Sequence, residues 1–277
     1  MASPAVTART GSSRYLDAGD ARLCYRDDGS GPALVLVHGW LLDSTIWAAQ
    51  VTAWSSRFRV LRMDRRGFGG SSGSPDLASD ARDVLRLLDR LGIGRAAILG
   101  MSQGARIALH LADTAPERVA CLVLDGTPAL AGLPGDWPSE TPVEHYRRLL
   151  LGQGAGALRD ELATHPLMQL RTRDRVARGM LDSMLDRYDG ADLLAAPPAS
   201  IDVAPGRLAQ LRLPVLLLNG ALDTPVRLHV AEALARLLPA AERQVLRSAG
   251  HLSCLDARET YGAVVLEFLI RNQHRWA

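Results

Sequence analysis

Apolar and polar positions along this chain follow two alternating rhythms. The run Ala33-Leu34-Val35-Leu36-Val37-His38 is apolar almost without a break. A strand covered on both faces reads this way, because successive side chains point to opposite sides and both sides meet core. Arg59 to Asp64, Ala96 to Gly100 and residues 119 to 125 read as further strands, as do Leu213 to Asn219 and, more weakly, Arg243 to Leu246. Between these runs the period lengthens to that of a helix. Asp80 to Leu91 sets Val84, Leu87, Leu88 and Leu91 on one face, and Gly92 ends it. Gln103 to Asp113, Val226 to Leu238 and Glu259 to Arg271 carry similar spacing. Strand, helix and strand in succession predict parallel strands joined by crossover helices, so the expected fold class is α/β with a doubly wound, mostly parallel sheet. Ahead of it, Ser13 to Leu16 and Arg22 to Arg26 flank Gly19-Asp20 and predict an antiparallel hairpin opening the sheet.

The alternation stops between about Ala129 and Gln210. Helical patterns continue there without a convincing strand, and prolines gather: Pro134, Pro138, Pro142, Pro197, Pro198 and Pro205. A stretch of this kind between two strands predicts an inserted helical cap over residues 129–210, with residues 1–128 and 211–277 forming the core domain. Leu149, Leu150, Leu151, Met168, Met180 and Met184 are expected to pack the cap onto the sheet. An apolar pocket with one or two arginines would suit an apolar or weakly acidic substrate.

Length and charge narrow the function classes. A chain of 277 residues buries a sizeable core, and a net charge of +2 gives no reason to expect nucleic acid or a membrane surface as partner. No apolar stretch approaches the ~18 residues of a membrane span, and Met1 to Arg14 lacks an apolar signal core, so a cytoplasmic location is expected. All 32 basic residues are arginine, which excludes Schiff-base and lysine-base chemistry. Cys24, Cys121 and Cys254 are too few and too irregular for a disulfide framework or a zinc site. No cofactor and no metal is expected; the partner is a small-molecule substrate, with a homodimer left open as the assembly.

The chemistry is carried by Gly100-Met101-Ser102-Gln103-Gly104, a G-x-S-x-G pattern between a strand and a helix. A serine nucleophile must project from a sharp, strained strand-to-helix turn, and flanking glycines let neighbouring backbone approach it. The helix start supplies free N–H groups and a positive dipole end for a developing oxyanion. Other segments support the reading: His38-Gly39-Trp40 ends the first parallel strand, Asp64-Arg65-Arg66-Gly67-Phe68-Gly69-Gly70-Ser71 follows the next, Gly220-Ala221-Leu222-Asp223 ends a later one, and Gly250-His251 follows the last.

On these motifs the chain resembles the α/β-hydrolase superfamily from about residue 13 to its end, with the triad order Ser, Asp, His. The His-Gly-Trp and Asp-Arg-Arg-Gly-Phe-Gly segments are similar to those of small bacterial esterases, enol-lactone hydrolases and cofactor-free haloperoxidases. The resemblance implies Ser102 as nucleophile, His251 as general base and Asp223 as the acid that orients the imidazole. The backbone N–H groups of Trp40 and Gln103 would form the oxyanion hole, with Trp40, Leu41 and Met101 lining the substrate pocket. Asp125 is the alternative acid, because it ends a strand where some family members place theirs; Asp256 is too close to His251 in sequence to orient the ring. His38 reads as a local shaper of the oxyanion loop, Asp64 to Arg66 as a structural turn, and His110, His145, His165, His229 and His274 as surface or packing residues.

A serine at the elbow argues against the dehalogenases and epoxide hydrolases of the family, which use aspartate there. The segment His38 to Leu42 lacks both the Gly-rich run of larger lipases and the longer loop of carbon–carbon hydrolases acting on ring-cleavage products. The expected reaction is hydrolysis of a small or medium carboxylic ester, lactone or thioester through an acyl-enzyme. Two other classes stay open. One is a cofactor-free ring-cleaving oxygenase using His251 with Asp125; such enzymes carry His on both sides of the serine and after the tryptophan, where this chain has Met101, Gln103 and Leu42. The other is a receptor-like ligand-binding module.

Overall fold

The computed structural model describes residues 11–276 apart from 134, 136–138 and 196–199. One sheet holds β1 (Arg14–Asp17), β2 (Arg22–Asp28), β3 (Ala33–Val37), β4 (Arg59–Met63), β5 (Ala96–Met101), β6 (Val119–Asp125), β7 (Val215–Gly220) and β8 (Ala241–Leu246). Their spatial order is β1-β2-β4-β3-β5-β6-β7-β8. β1–β2 and β2–β4 pair antiparallel, and every pair from β4–β3 to β7–β8 is parallel. The expected hairpin and doubly wound sheet are both present. β4 lies on one side of β3 and β5 on the other, so the winding reverses between β3 and β5. Open α/β sheets take ligands in the crevice beyond the strand ends at such a switch point.

Helices follow the strands: α1 (Ala48–Trp54) after β3, α2 (Leu77–Arg90) after β4 and α3 (Gln103–Thr114) after β5. Between β6 and β7 come α4 (Val143–Ala163), α5 (Arg175–Arg187), α6 (Ala191–Leu194) and α7 (Pro205–Leu208), and no strand among the described residues. α8 (Pro225–Leu237) follows β7, and α9 (Ser253–Asp256) and α10 (Arg258–Asn272) follow β8. Strand alternation sorts the core into two faces. Val35 and Val37 of β3 belong with Val84 and Leu87 of α2, Ile107 of α3 and Val230 of α8. Leu34 and Leu36 belong with Trp54 of α1 and Phe268 of α10. Each fully buried aliphatic side chain contributes roughly 1.5–3 kcal/mol, which makes these two faces the main source of stability.

The inserted segment divides between the faces. Leu130, Leu133, Ile201, Val203 and Leu208 join the first cluster. Tyr146, Leu158, Leu162, Leu167, Met168 and Met184 join the second, beside Trp40 and Leu42. Leu149, Leu150 and Met180 pack partly buried against that cluster as expected, but Leu151 is 71% exposed. One step along α4 from Leu150 turns a side chain by about 100°, enough to face solvent. α4 breaks at Gly154, where φ is 85°. Pro142 caps α4 and Pro205 starts α7; Pro134, Pro138, Pro197 and Pro198 lie outside the described residues.

Candidate active site

Ser102 stands between β5 and α3 with φ 54° and ψ −117°. A non-glycine residue held there costs about 1–3 kcal/mol, so its surroundings must impose it. Ser102 N donates to Asp125 O at 2.7 Å, and Ala105 N donates to Ser102 O at 2.9 Å. A serine at this position usually caps its helix with the hydroxyl. Ser102 makes no such bond, which leaves Oγ for other work. A Cβ at Gly100 would fall 2.2 Å from Gly104 O, and one at Gly104 would fall 2.0 Å from Val37 O. Only glycine lets strand, elbow and β3 come this close.

The loop after β3 runs beside the elbow: a Cβ on Gly39 would lie 3.0 Å from Ser102 Cβ. His38 shapes this loop, with Nδ1 2.8 Å from Gly39 O and Nε2 accepting from Arg65 N at 2.9 Å. Burial and the Arg65 charge lower its pKa to about 4, so the ring is neutral at pH 7. Asp64 holds the next turn by accepting from Ser44 N and Gly70 N, while Arg65 and Arg66 pair with Asp80 and Asp83. Trp40 follows β3, and Gln103 opens α3, where helix N–H groups have no intrahelical partner. The Trp40 indole donates to Asp192 Oδ2 at 2.8 Å, and Arg65 donates to Gln103 Oε1 at 2.9 Å.

His251 Nδ1 lies 3.1 Å from Asp223 Oδ2, both side chains being buried. Burial pushes the Asp223 carboxyl up, but the His251 ring, Arg227 and the Thr224 N–H outweigh it and hold it below the ordinary carboxylate range. An ionised acceptor makes Nδ1 the donating nitrogen and leaves Nε2 to accept a proton. Asp125 faces elsewhere: both its carboxylate oxygens are 3.0 Å from Ser253 Oγ. Burial raises its pKa to about 8, opposed by the Ser253 bond and reinforced by the Asp223 charge. The structure therefore brings Asp223, and not Asp125, to the imidazole. Asp256 accepts from Gly250 N, Arg171 N and Thr172 N, tying the His251 loop to the segment just ahead of α5. Gly126, which the sequence reading passes over, has φ 56°, and a Cβ there would lie 2.7 Å from His251 Cε1.

Arg227 is the larger omission. Among the described residues Ser102 Oγ is hydrogen-bonded by Arg227 Nη1, at 3.1 Å, rather than by His251. Arg227 is 4% exposed; Nη1 also donates to Gly126 O at 2.6 Å, and Nε donates to Glu140 Oε2 at 2.6 Å. Glu140, just ahead of α4, also accepts from the Thr224 hydroxyl, and its carbonyl lies 2.9 Å from His165 Nε2. His165 is a buried packing residue whose ring meets Trp40 and Tyr146 at centroid distances of 6.2 Å. Glu140 and Arg227 lie 87 positions apart, so no local pattern announces the pair.

A cavity of about 90 Å³ opens on Ser102 and His251, walled by Trp40, Leu42, Arg106 and Arg227 and by Leu167 and Met168 from the segment between β6 and β7. A second, of about 160 Å³, shares Trp40 and Gln103 with it and reaches Arg65 and Asp192. Two expected pocket residues do not line the Ser102 cavity. Leu41 has φ 65° and turns toward Met184 and Tyr188, leaving Leu42 to face the site. Met101 ends β5 fully buried in the second core cluster, because the elbow projects its neighbour instead. The lining arginines come from α3 and α8, not from the segment between β6 and β7. Cys24, Cys121 and Cys254 are buried free thiols. Among the described residues no cluster of His, Cys, Asp and Glu could hold a metal ion, and no helix is long and apolar enough to cross a membrane.

Comparison with known proteins agrees with this fold. Residues 32–257 match the family model described as the alpha/beta hydrolase fold. The chain is 30% identical over 302 residues to a 2-hydroxy-6-oxononadienedioate/2-hydroxy-6-oxononatrienedioate hydrolase of Burkholderia vietnamiensis, covering 98% of this chain and 100% of that one. It is 32% identical over 259 residues to a pimeloyl-[acyl-carrier protein] methyl ester esterase of Methylococcus capsulatus, covering 87% and 96%. The crystal structure of the enol-lactonase from Burkholderia xenovorans LB400 superposes with a TM-score of 0.76 at 27% identity, covering 93% of this chain and 100% of that one. Relatives resembling carbon–carbon hydrolases thus stand beside esterases. The sheet order, the elbow and the match across most of its length place this chain in the α/β-hydrolase family, as a hydrolytic enzyme.

Proposed function

We propose that the protein is a serine hydrolase that cleaves a small or medium carboxylic ester, lactone or thioester through an acyl-enzyme on Ser102. One observation carries the reading: an uncapped serine hydroxyl on a strained elbow shares a cavity with His251, whose Nδ1 faces the ionised Asp223. In the first step the Ser102 hydroxyl turns from Arg227 to His251 Nε2 and gives up its proton. Oγ bonds to the acyl carbon, and the carbonyl π pair moves onto oxygen, where the N–H groups of Trp40 and Gln103 receive it. His251 then passes the proton to the departing alcohol, thiol or ring oxygen as the acyl bond breaks. Water repeats the sequence on the acyl-enzyme and releases the acid. Asp223 keeps the imidazole in the right tautomer and stabilises its cationic form. The cap closes the cavity and shapes its specificity.

The oxygenase alternative needs Asp125 to serve His251; Ser253 holding Asp125 and Asp223 facing His251 weigh against it. A receptor-like module would have no need of the strained elbow. The test is a panel of esters, lactones and thioesters, with a hydroxy-oxo-dienedioate beside them, given to wild type and Ser102→Ala under anaerobic conditions. Wild type is expected to turn over one of the acyl classes without oxygen, and the variant to lose at least about 10³-fold in kcat. Retention of more than a few per cent of wild-type kcat would remove Ser102 as nucleophile.

A further inference from the structure

Triad chemistry asks for no cation on the nucleophile, yet the Arg227 guanidinium lies against it. Nη1 bonds Gly126 O and Ser102 Oγ, and Nε bonds Glu140 Oε2. A guanidinium keeps its charge when buried, and its N–H groups need acceptors. The free Ser102 hydroxyl can accept from Arg227 while donating to His251, but the acyl-enzyme cannot keep both contacts. To lose its proton, the hydroxyl turns to His251; once acylated, Oγ is an ester oxygen and a poor acceptor. Arg227 Nη1 then loses a partner in a place that is 4% exposed. A substrate that brings an acceptor to that nitrogen restores the bond, and one that brings none leaves a buried N–H unpaired.

The surroundings favour an anionic acceptor. Arg106 lines the same cavity, bonded to Ala129 O and 3.4 Å from Asp202. Both arginines line the cavity, and their carboxylate partners Glu140 and Asp202 are not among its lining residues. The bond from Arg227 to Glu140 shows that this guanidinium already accommodates a carboxylate on one edge. At about 90 Å³ the cavity suits a short acyl part better than a long chain. Resting on the reading of Ser102 as nucleophile, we propose that Arg227 is a specificity-determining residue: it releases Ser102 Oγ and takes a carboxylate of the substrate, so that the preferred substrates are short esters or lactones bearing a free carboxylate close to the scissile carbonyl.

The experiment compares methyl hydrogen succinate with methyl succinamate, its near-isosteric neutral partner. Wild type is expected to favour the acid by at least about tenfold in kcat/KM. In Arg227→Met the ratio is expected to fall to near one, through a rise in KM for the acid. A second measurement needs no variant: malonate should protect Ser102 from a fluorophosphonate at a concentration about tenfold lower than malonamide does. A wild-type ratio near one, an Arg227→Met variant that keeps the acid preference, or equal protection by malonate and malonamide overturns the proposal while leaving the serine-hydrolase reading standing. Absence of both ester turnover and fluorophosphonate labelling overturns that reading, and this proposal with it.

Discussion

Asp125 and Asp223 sit at the ends of neighbouring parallel strands, both buried, yet their carboxyl groups are driven in opposite directions. Asp125 is pushed up to about 8 by burial, because its principal partner is a neutral hydroxyl, that of Ser253. Asp223 suffers the same burial but faces His251, Arg227 and a peptide N–H, and it stays below the ordinary range. Burial by itself yields a neutral acid; an ionised one has to be assembled from cationic and donating neighbours. Position at a strand end therefore leaves the choice of catalytic acid undecided, and the partners decide it.

The comparison breaks first at Asp223. Asp223→Asn should lower kcat by about 10³–10⁴-fold, since an amide no longer selects the imidazole tautomer that leaves Nε2 as base. A smaller loss for Asp223→Asn than for Asp125→Asn, measured on the same ester, would reverse the assignment. Gly126 follows Asp125 directly and touches the His251 ring that Asp223 orients. Gly126→Ala places a methyl 2.7 Å from Cε1 on a residue with φ 56°, so the imidazole must shift. The expected loss is about 10–10²-fold in kcat, with an unchanged rate showing that the ring position tolerates the displacement.

Asp125→Asn should change kcat by less than about tenfold, because the amide resembles the protonated acid and Ser253 can still bond it. Its signature is in stability. Below its ordinary value of 3.8 the carboxyl is protonated in folded and unfolded chain alike. Between there and about 8 the unfolded chain releases a proton that the fold retains, so wild-type stability falls as pH rises, and above about 8 the penalty is constant. The Tm of wild type relative to Asp125→Asn should therefore drop by several degrees from pH 4 to pH 8, on the order of 2 °C per kcal/mol. A flat difference across that range would mean that Asp125 is ionised in the fold.

The sheet was legible because strands covered on both faces, such as Leu34 to Val37 and Leu122 to Leu124, admit few other readings. The elbow was legible because its five-residue pattern lies within one strand–turn–helix unit, although Gly104 is forced by Val37 of the neighbouring β3. α1 went unread although Trp47, Val51 and Trp54 repeat at helical spacing; the 3₁₀ turn ahead of it, over Ser44–Trp47, shifts the phase of that pattern. Arg227, Glu140 and Gly126 carry no local signature at all. Their roles arise only when α8, the segment before α4 and the end of β6 meet over Ser102. Among thirty-two arginines, sequence offers no way to single out the two that line the cavity.

The central claim, an acyl-enzyme on Ser102, is tested most directly by intact-mass spectrometry of the protein quenched in acid during turnover of p-nitrophenyl acetate. The account predicts one added acetyl group, located on the peptide containing Ser102, absent in Ser102→Ala and more slowly formed in Asp223→Asn. Ester turnover with no mass added to wild type in either the steady state or the pre-steady-state burst, or an acetyl group that persists at the same site in Ser102→Ala, would contradict it.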